Sequence, residues 1–355
     1  MNTIGSLMKD RDNNYDFIRL LASITVIFSH SFPLSLGKFN GNDPDPLYQL
    51  TGDISFGRIA VIVFFIISGF LITQSYLRHN DPSNYLKARI LRIFPGLIFI
   101  VLFTVFILGP IVTTLSLNEY FSNGATYEYI KVLSLIFISY PLPGVFENNI
   151  YPSLVNGSIW TLFFEFICYI GIMILGYLGF LRKGIILFIY ITSSFLAAKN
   201  FGGDGFYGNV INILSFFSVG MLFYAFKEKI KLTPRISFIA FIILLVSLVF
   251  YKFYFLPIIT TCLAYIIMYL TYATKRKING SKYGDFSYGT YIFAFPIQQS
   301  VTYFFGGTMY WWANFLISFP IIFLMSICSW HWVEKNALKL KKQPLVKKEV
   351  NKIVA

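Results

Sequence analysis

The sequence predicts an all-α integral membrane protein, a bundle of about ten transmembrane helices with both termini in the cytoplasm. Of its 355 residues, 56% are hydrophobic and only 13% are charged, whereas soluble domains carry about 25% charged residues. Apolar stretches close to the length needed to cross a bilayer recur along the whole chain. Lys and Arg residues cluster in alternate loops, which is typical of multispanning proteins.

Ten apolar stretches are predicted to span the membrane. In order they are Phe17–Leu36, Ile59–Leu77, Ile93–Leu117, Ser158–Leu181, Gly184–Ala198, Val210–Phe226, Ile236–Phe253, Leu256–Tyr272, Tyr288–Phe305 and Trp311–Val333. The fifth is short, and the seventh and eighth are joined very tightly. Tyr129–Val145 contains two prolines, and counting it as a span would move the later Lys clusters outside. We interpret it as an interfacial or re-entrant segment on the outer side.

The distribution of positive charge orients the bundle. With the N-terminus in the cytoplasm, 24 of the 29 Lys and Arg residues fall on the cytoplasmic side and 5 fall outside. The net charge of +13 is therefore interpreted as a membrane bias, and no nucleic-acid partner is expected. The predicted organisation is a cytoplasmic N-terminus (1–14), a transmembrane domain (15–335) and a Lys-rich cytoplasmic tail (336–355). The tail is expected to be solvated or to contact membrane lipid headgroups.

The first span carries two residues that are costly inside a membrane, Arg19 and His30. Ionisable residues within spans are functional candidates by default. Eleven residues apart on a helix, these two lie within about 20° of one face and about 16 Å apart along the axis. His30 is the leading candidate for a general base. The alternative is an interfacial Arg with a hydrogen-bonded core His.

Two more spans contain isolated polar residues. Glu165 is the only acid inside a predicted span, and its expected partner is Arg58 or His30, in a structural ion pair or in a catalytic role. Ser68 belongs to a Ser-Gly pair of the kind that permits close helix packing. It is a poor candidate for a nucleophile because no base is near it in the sequence.

Arg89 and Arg92 lie three residues apart in the predicted loop that enters the third span. Two guanidiniums on one face could grip phosphates through paired hydrogen bonds. Ordinary cytoplasmic anchoring is an equally good interpretation. The three cysteines lie within apolar runs, so no disulfide or metal site is predicted.

These residues, in this order, resemble the acyltransferase family 3 proteins, bacterial membrane enzymes that O-acetylate surface glycans. The positions that match in type and spacing are Arg19 with His30, Ser68-Gly69-Phe70, Arg89 and Arg92 before Pro95, Trp160-Thr161 with Glu165, and Ser287-Tyr288-Gly289 with Tyr291. The resemblance runs from Tyr15 to about Lys335. Two positions depart from it: Ala294 stands where many members have His, and Glu334 lacks the Pro that often follows two residues later.

The resemblance implies a multi-pass O-acetyltransferase of the bacterial inner membrane that acts without a fused esterase-like domain. It implies acetyl-CoA or another acyl-CoA as cytoplasmic donor, a polymeric or lipid-linked glycan as acceptor, and no permanently bound cofactor or metal. A homo-oligomer is left open. The implied roles are catalysis by His30, Arg19 and Glu165; donor binding by Arg89 and Arg92; and an acceptor or structural role for Trp160, Ser68, Tyr288 and Tyr291.

Two other functions fit a polar path inside a bundle. A transporter or flippase of a lipid-linked sugar would also use buried cations, but such proteins often show an internal repeat, and none is visible. A polysaccharide polymerase usually presents a large soluble loop, whereas the longest loop here runs from about Asn118 to Gly157.

Overall fold

The computed structural model describes residues 3–8, 13–38, 42–79, 81–136, 141–203, 205–274, 278 and 284–342. Within these ranges the fold is an all-α bundle, as predicted. Its ten long helices are α1 (Tyr15–Leu36), α2 (Phe56–His79), α3 (Pro82–Phe103), α4 (Trp160–Tyr177), α5 (Lys183–Ala198), α6 (Phe206–Ala225), α7 (Pro234–Val249), α8 (Leu256–Met268), α9 (Ser287–Phe304) and α10 (Trp311–Ser329). The predicted Lys-rich tail lies outside the described residues from position 343 onward.

Seven of these helices, in the described part of the chain, are long and apolar enough to cross a membrane: α1, α2, α3, α4, α6, α8 and α10, three of them with their helical extensions. Helices α5 and α7 are apolar but only 16 residues long. A bilayer core about 30 Å thick needs about 20 helical residues. Each helix overlaps one predicted span, and the count of about ten crossings stays a prediction.

Helix α9 is long enough to span but less apolar, because it lies inside the bundle. It packs against α1, α3 and α10, and 15 of its 18 residues are buried. The amide nitrogen of Gln298 finds acceptors within the protein: its Nε2 donates to the Ile27 carbonyl and to Asn314 Oδ1, both at 2.9 Å. A helix surrounded by other helices needs no lipid-facing surface, so polar side chains are tolerated on it.

Helices α2 and α6 approach each other at two glycines. A Cβ added to Gly69 would lie 2.0 Å from the Phe217 carbonyl oxygen, and one added to Gly220 would lie 2.1 Å from the Ile66 carbonyl oxygen. A backbone carbonyl cannot change its position as a flexible side chain can, so only glycine fits at these two positions. The interpretation of the Ser68-Gly69 pair as a helix-packing motif is confirmed.

We expect Gly220→Ala to destabilise the bundle by about 1–3 kcal/mol or more, the usual cost of overpacking a tight interface. The matched control is Gly171→Ala on α4, where nothing lies within 4 Å of an added Cβ. Thermal melting of the two purified variants in the same detergent measures the difference. Equal melting temperatures would contradict the close contact between α2 and α6.

Helix α3 begins eleven residues earlier than the predicted third span, at Pro82 rather than at Ile93. The Asp81 side chain caps its first turn, and proline is well suited to the first helical position because the N–H that it lacks has no helical partner there. Arg89 and Arg92 are therefore helical residues, and the prediction that they lie in a loop is wrong. Their side chains are held in a fixed relation to the rest of α3.

The segment Tyr129–Val145, left out of the predicted spans, forms a short 3-10 helix over Tyr129–Ser134. Residues 137–140 lie outside the described residues. The end of the segment is tied to the chain that follows α3, since Thr113 Oγ1 donates to the Pro143 carbonyl at 2.8 Å. Its placement at the membrane interface stays a prediction.

Two contacts join loops that are predicted to lie on the same side of the membrane. The N-terminal segment pairs with the loop after α6, where the Ile4 amide donates to the Ile230 carbonyl at 3.0 Å. At the other end, the Tyr251 hydroxyl donates to Asp53 Oδ2 at 2.8 Å. The first pair is predicted to be cytoplasmic and the second to be outside, and which end faces the cytoplasm stays a prediction.

A reporter fused after Ala355 checks that orientation. We expect a fluorescent protein to be active there and a periplasmic phosphatase to be inactive, because 24 of the 29 Lys and Arg residues fall on the side assigned to the cytoplasm. A phosphatase placed in the loop at Lys252 serves as the control and is expected to be active. The reverse pattern would overturn the orientation.

Candidate active site

A cavity of about 300 Å³ lies between α1, α2, α3, α4 and α9. Seven of the nine predicted site residues line it: Arg19, Ser68, Arg89, Arg92, Glu165, Tyr288 and Tyr291. They come from five helices that are far apart in the sequence. The apolar residues around them, such as Phe64 and Leu162, give the cavity mixed walls, which is typical of a small-molecule site.

Asp285, just before α9, bridges two of the cavity's arginines. Its Oδ2 lies 2.6 Å from Arg92 Nη2 and 3.8 Å from Arg19 Nη1. Ser287 holds the other oxygen, donating from its Oγ at 2.5 Å and from its backbone amide at 3.2 Å. Burial raises the pKa of Asp285, but Arg92 and Arg19 outweigh it, so the pKa lies below its usual value. The carboxylate therefore stays charged and fixes both guanidiniums.

Asp285 is not among the predicted site residues, because it stands just before the predicted ninth span and outside the matched motif that begins at Ser287. One signal was available. An Asp that stands two residues before the first residue of a helix often accepts hydrogen bonds from that residue. Asp285 and Ser287 have this spacing, which places a carboxylate beside the start of the ninth span.

Glu334 is another acid beside Arg92. Its Oε2 lies 3.8 Å from Arg92 Nη1, and Ser329 Oγ donates to its Oε1 at 2.8 Å. The prediction that the last span ends at Val333, just before Glu334, is wrong, because the apolar helix extends to Lys339. A π-helical turn over Trp330–Glu334 continues α10 into Lys335–Lys339. Glu334 is the last residue of that turn, and its side chain is 2% exposed.

Glu165 is paired with hydroxyl groups rather than with a cation. Ser68 Oγ donates to Glu165 Oε1 at 3.1 Å, and the Tyr169 hydroxyl donates to the same oxygen. The expected partners were Arg58 and His30, and neither is its hydrogen-bond partner. Arg58 instead forms an ion pair with Asp53 at 3.2 Å.

Ser68 has an acid beside it in the folded chain. No base lies near it in the sequence, yet Glu165, 97 positions away, is within hydrogen-bond distance of its hydroxyl. Ser68 therefore combines a packing position beside Gly69 with a polar contact inside the cavity.

Arg89 is held by aromatic rings. Its guanidinium carbon lies 5.7 Å from the ring centroid of Tyr85 and 5.7 Å from that of Tyr169, a geometry of cation–π contact. Its Nε is buried without a hydrogen-bond partner. Among the described residues no acid forms an ion pair with Arg89, in contrast to Arg19 and Arg92.

The two tyrosines of α9 shape the cavity wall through their hydroxyls. The Tyr288 hydroxyl donates to the Ile93 carbonyl at 2.7 Å, and the Arg92 guanidinium carbon lies 5.6 Å from its ring centroid. The Tyr291 hydroxyl lies 2.7 Å from Thr161 Oγ1. Both side chains join α9 to a neighbouring helix.

His30 and Trp160 are the two predicted site residues that do not line this cavity. The His30 ring meets the edge of Phe295 at 5.3 Å between centroids, and its Nδ1 is buried without a hydrogen-bond partner. Phe295 follows Tyr291 by four residues on α9, which is one turn or about 6 Å. His30 thus lies about one helical turn beyond the cavity end that Tyr291 lines. Trp160 packs edge-to-face against Phe164 at 5.7 Å.

Residues 12–331 match a family model described as an acyltransferase domain. The chain is 30% identical over 341 residues to the O-acetyl transferase of Shigella phage Sf6, covering 92% of this chain and 96% of that protein. It is also 42% identical over 87 residues to nodulation protein 10 of Rhizobium leguminosarum bv. viciae, covering 24% of this chain and 22% of that protein. No solved structure matches significantly.

Proposed function

The chain belongs to the acyltransferase domain family and is a multi-pass membrane O-acetyltransferase, and from this premise we propose its substrates. The donor is a cytoplasmic acyl-CoA, with acetyl-CoA as the first candidate. The acceptor is a sugar hydroxyl of a cell-surface polysaccharide or of its lipid-linked precursor, and the membrane is the bacterial inner membrane. Family membership favours this function over a flippase or a polymerase.

The observation that carries the donor assignment is the convergence of three guanidiniums, those of Arg19, Arg89 and Arg92, on one cavity. Guanidiniums suit phosphates because their planar fork gives paired, charge-assisted hydrogen bonds. The cavity also has apolar walls that suit an uncharged acyl chain and its linker. An acyl-CoA combines these two chemistries in one molecule.

The distance from the cations to His30 fits a long donor. Arg19 and His30 lie on the uninterrupted helix α1, eleven residues or about 16 Å apart along its axis. A donor held by its phosphates at the cationic end needs an extended arm of that order to bring its thioester to the imidazole. The pantetheine arm of coenzyme A is of comparable length.

In the proposed reaction, His30 acts as general base. The acceptor oxygen attacks the thioester carbonyl, His30 takes the hydroxyl proton, the new ester C–O bond forms and the C–S bond breaks. The proton then passes to the departing thiolate, which leaves as a thiol. In the alternative form, an imidazole nitrogen attacks the thioester carbonyl, the C–S bond breaks and the thiolate leaves as a thiol with the imidazole proton. The sugar oxygen then attacks the acyl-imidazole, the C–N bond breaks and the hydroxyl proton passes to the freed nitrogen.

The proposal is tested with the full chain purified into nanodiscs, radiolabelled acetyl-CoA and surface polysaccharide from a strain that lacks the gene. We expect label in the glycan together with an equal amount of free thiol. Hydrolysis of acetyl-CoA with no label in any glycan fraction would contradict the acceptor assignment. Comparing polysaccharide acetylation in strains with and without the gene, by nuclear magnetic resonance, identifies the acceptor position.

A further inference from the structure

The cavity is lined by four cations that fall into two groups. Arg19 and Arg92 share the carboxylate of Asp285, and Arg92 also lies 3.8 Å from Glu334. Arg89 and Lys341 line the same cavity, and no described acid pairs with either of them. Among the described residues, the cavity therefore contains two cations in ion pairs and two without one, while its own acid, Glu165, is bonded to the hydroxyls of Ser68 and Tyr169.

Lys341 reaches the cavity from the stretch that follows α10. The turn Leu340–Lys342 packs against α3, the helix that carries Arg89. Burial lowers the pKa of the Lys341 ammonium, and the Arg89 guanidinium lowers it further. Both side chains line the same cavity, so the two charges face one space. The Lys341 side chain remains exposed, so a solute can reach this end of the cavity.

Two cations that face one cavity and form no ion pair with a described acid repel each other, so an anion that binds between them relieves the repulsion. Arg89 is well suited to such binding. The rings of Tyr85 and Tyr169 hold its guanidinium in place, so little conformational freedom is lost when it binds a ligand. The N–H at its buried Nε donates to no described protein group and is available to a ligand.

We propose that Arg89 and Lys341 form the phosphate-binding site at the cytoplasmic end of the cavity and take the phosphate groups of the donor. Arg19 and Arg92 are positioning residues, held in place by Asp285. This assignment rests on the proposed function, and it replaces the pairing of Arg89 with Arg92 that their spacing suggested. A lysine outside the matched motifs thereby becomes part of the donor site.

The test measures binding rather than transfer. Coenzyme A and pantetheine, which lacks phosphates, are titrated calorimetrically into the purified full chain in uncharged detergent. We expect the wild type to bind coenzyme A more tightly than pantetheine. Lys341→Ala and Arg89→Ala should each weaken coenzyme A binding by about tenfold, the loss expected for one hydrogen bond to a charged group, and leave pantetheine binding unchanged.

The matched control is Lys339→Ala. Lys339 lies two residues before Lys341, donates to Asn336 Oδ1 at 2.9 Å and does not line the cavity. It should keep the wild-type affinity for coenzyme A. If Lys341→Ala also keeps that affinity, or loses coenzyme A and pantetheine binding equally, the inference is wrong and the proposed function stands. If the wild type binds neither compound, the acyl-CoA donor itself is wrong.

A second arm separates the donor phosphate from a lipid phosphate. The titration is repeated in nanodiscs of phosphatidylcholine with and without phosphatidylglycerol. We expect equal affinities for coenzyme A. If wild type binds coenzyme A more weakly in the anionic nanodiscs, and Lys341→Ala shows no such difference between the two kinds of nanodisc, the pair binds a lipid headgroup. That result would overturn the donor site.

Discussion

His30→Gln is expected to reduce acetyl transfer by at least about 100-fold, the usual contribution of a general acid–base group, while the protein stays folded and inserted. Glutamine keeps a hydrogen-bonding side chain of similar size but cannot take a proton at neutral pH. The structure makes the test sharp. His30 Nδ1 is buried without a hydrogen-bond partner, so the substitution leaves no protein group newly unsatisfied.

The control for this variant is His331→Gln. His331 is exposed near the end of α10, and we expect full activity from that variant. Abundance in the membrane and melting temperature are measured beside transfer, because a histidine with a purely structural role would change those first. If His30→Gln transfers acetyl at the wild-type rate, the base must be reassigned, and Glu165 in the cavity is the next candidate.

Asp285→Asn is expected to lower both stability and transfer. It removes the charge that Arg19 and Arg92 share, and it leaves two guanidiniums beside a neutral amide. Breaking a buried ion pair costs about 3–5 kcal/mol. The three side chains keep 14–21% of their surface exposed, so we expect a loss near the lower end, about 3 kcal/mol, measured by thermal or denaturant unfolding in detergent.

The matched control for Asp285→Asn is Glu128→Gln. That residue forms an ion pair with Lys131, with both side chains 51% exposed, and surface pairs contribute only about 0–1 kcal/mol. Asp285→Glu keeps the charge and should recover part of the stability. Unchanged melting and transfer in Asp285→Asn would contradict the role of Asp285 as the residue that positions both arginines.

The ion pairs of Asp285 also predict how the stability depends on pH. The folded pKa of Asp285 lies below its usual value, because Arg92 and Arg19 outweigh burial. Its contribution to stability is therefore fully present above the unfolded pKa of about 3.9 and is lost as the pH falls through the folded pKa. The melting difference between wild type and Asp285→Asn should be constant near neutral pH and shrink only below about pH 4. A difference that shrinks between pH 7 and pH 5 would contradict this.

The sequence by itself determined the class of the protein, the order of its helices and the pair Arg19 and His30 on one helix face. These features are local. Hydropathy within a window of about 20 residues identifies a span, and helical geometry fixes which residues of one helix share a face. The Ser-Gly pair on α2 could be interpreted correctly for the same reason, since close packing requires small residues wherever the partner helix lies.

Only the tertiary structure decided which side chains meet. Asp285 stands just before the predicted ninth span and Lys341 stands in the predicted cytoplasmic tail. The bundle brings Asp285 to Arg92 and places Lys341 in the cavity that Arg89 lines. Glu334 stands just past the last predicted span, whereas the helix continues through a π-helical turn to Lys339 and the Glu334 side chain is buried. The polar partners in this site are far apart in the sequence, as Arg92 and Asp285 are, at 193 positions. Whether they meet depends on how the helices pack, and a local sequence pattern does not encode helix packing.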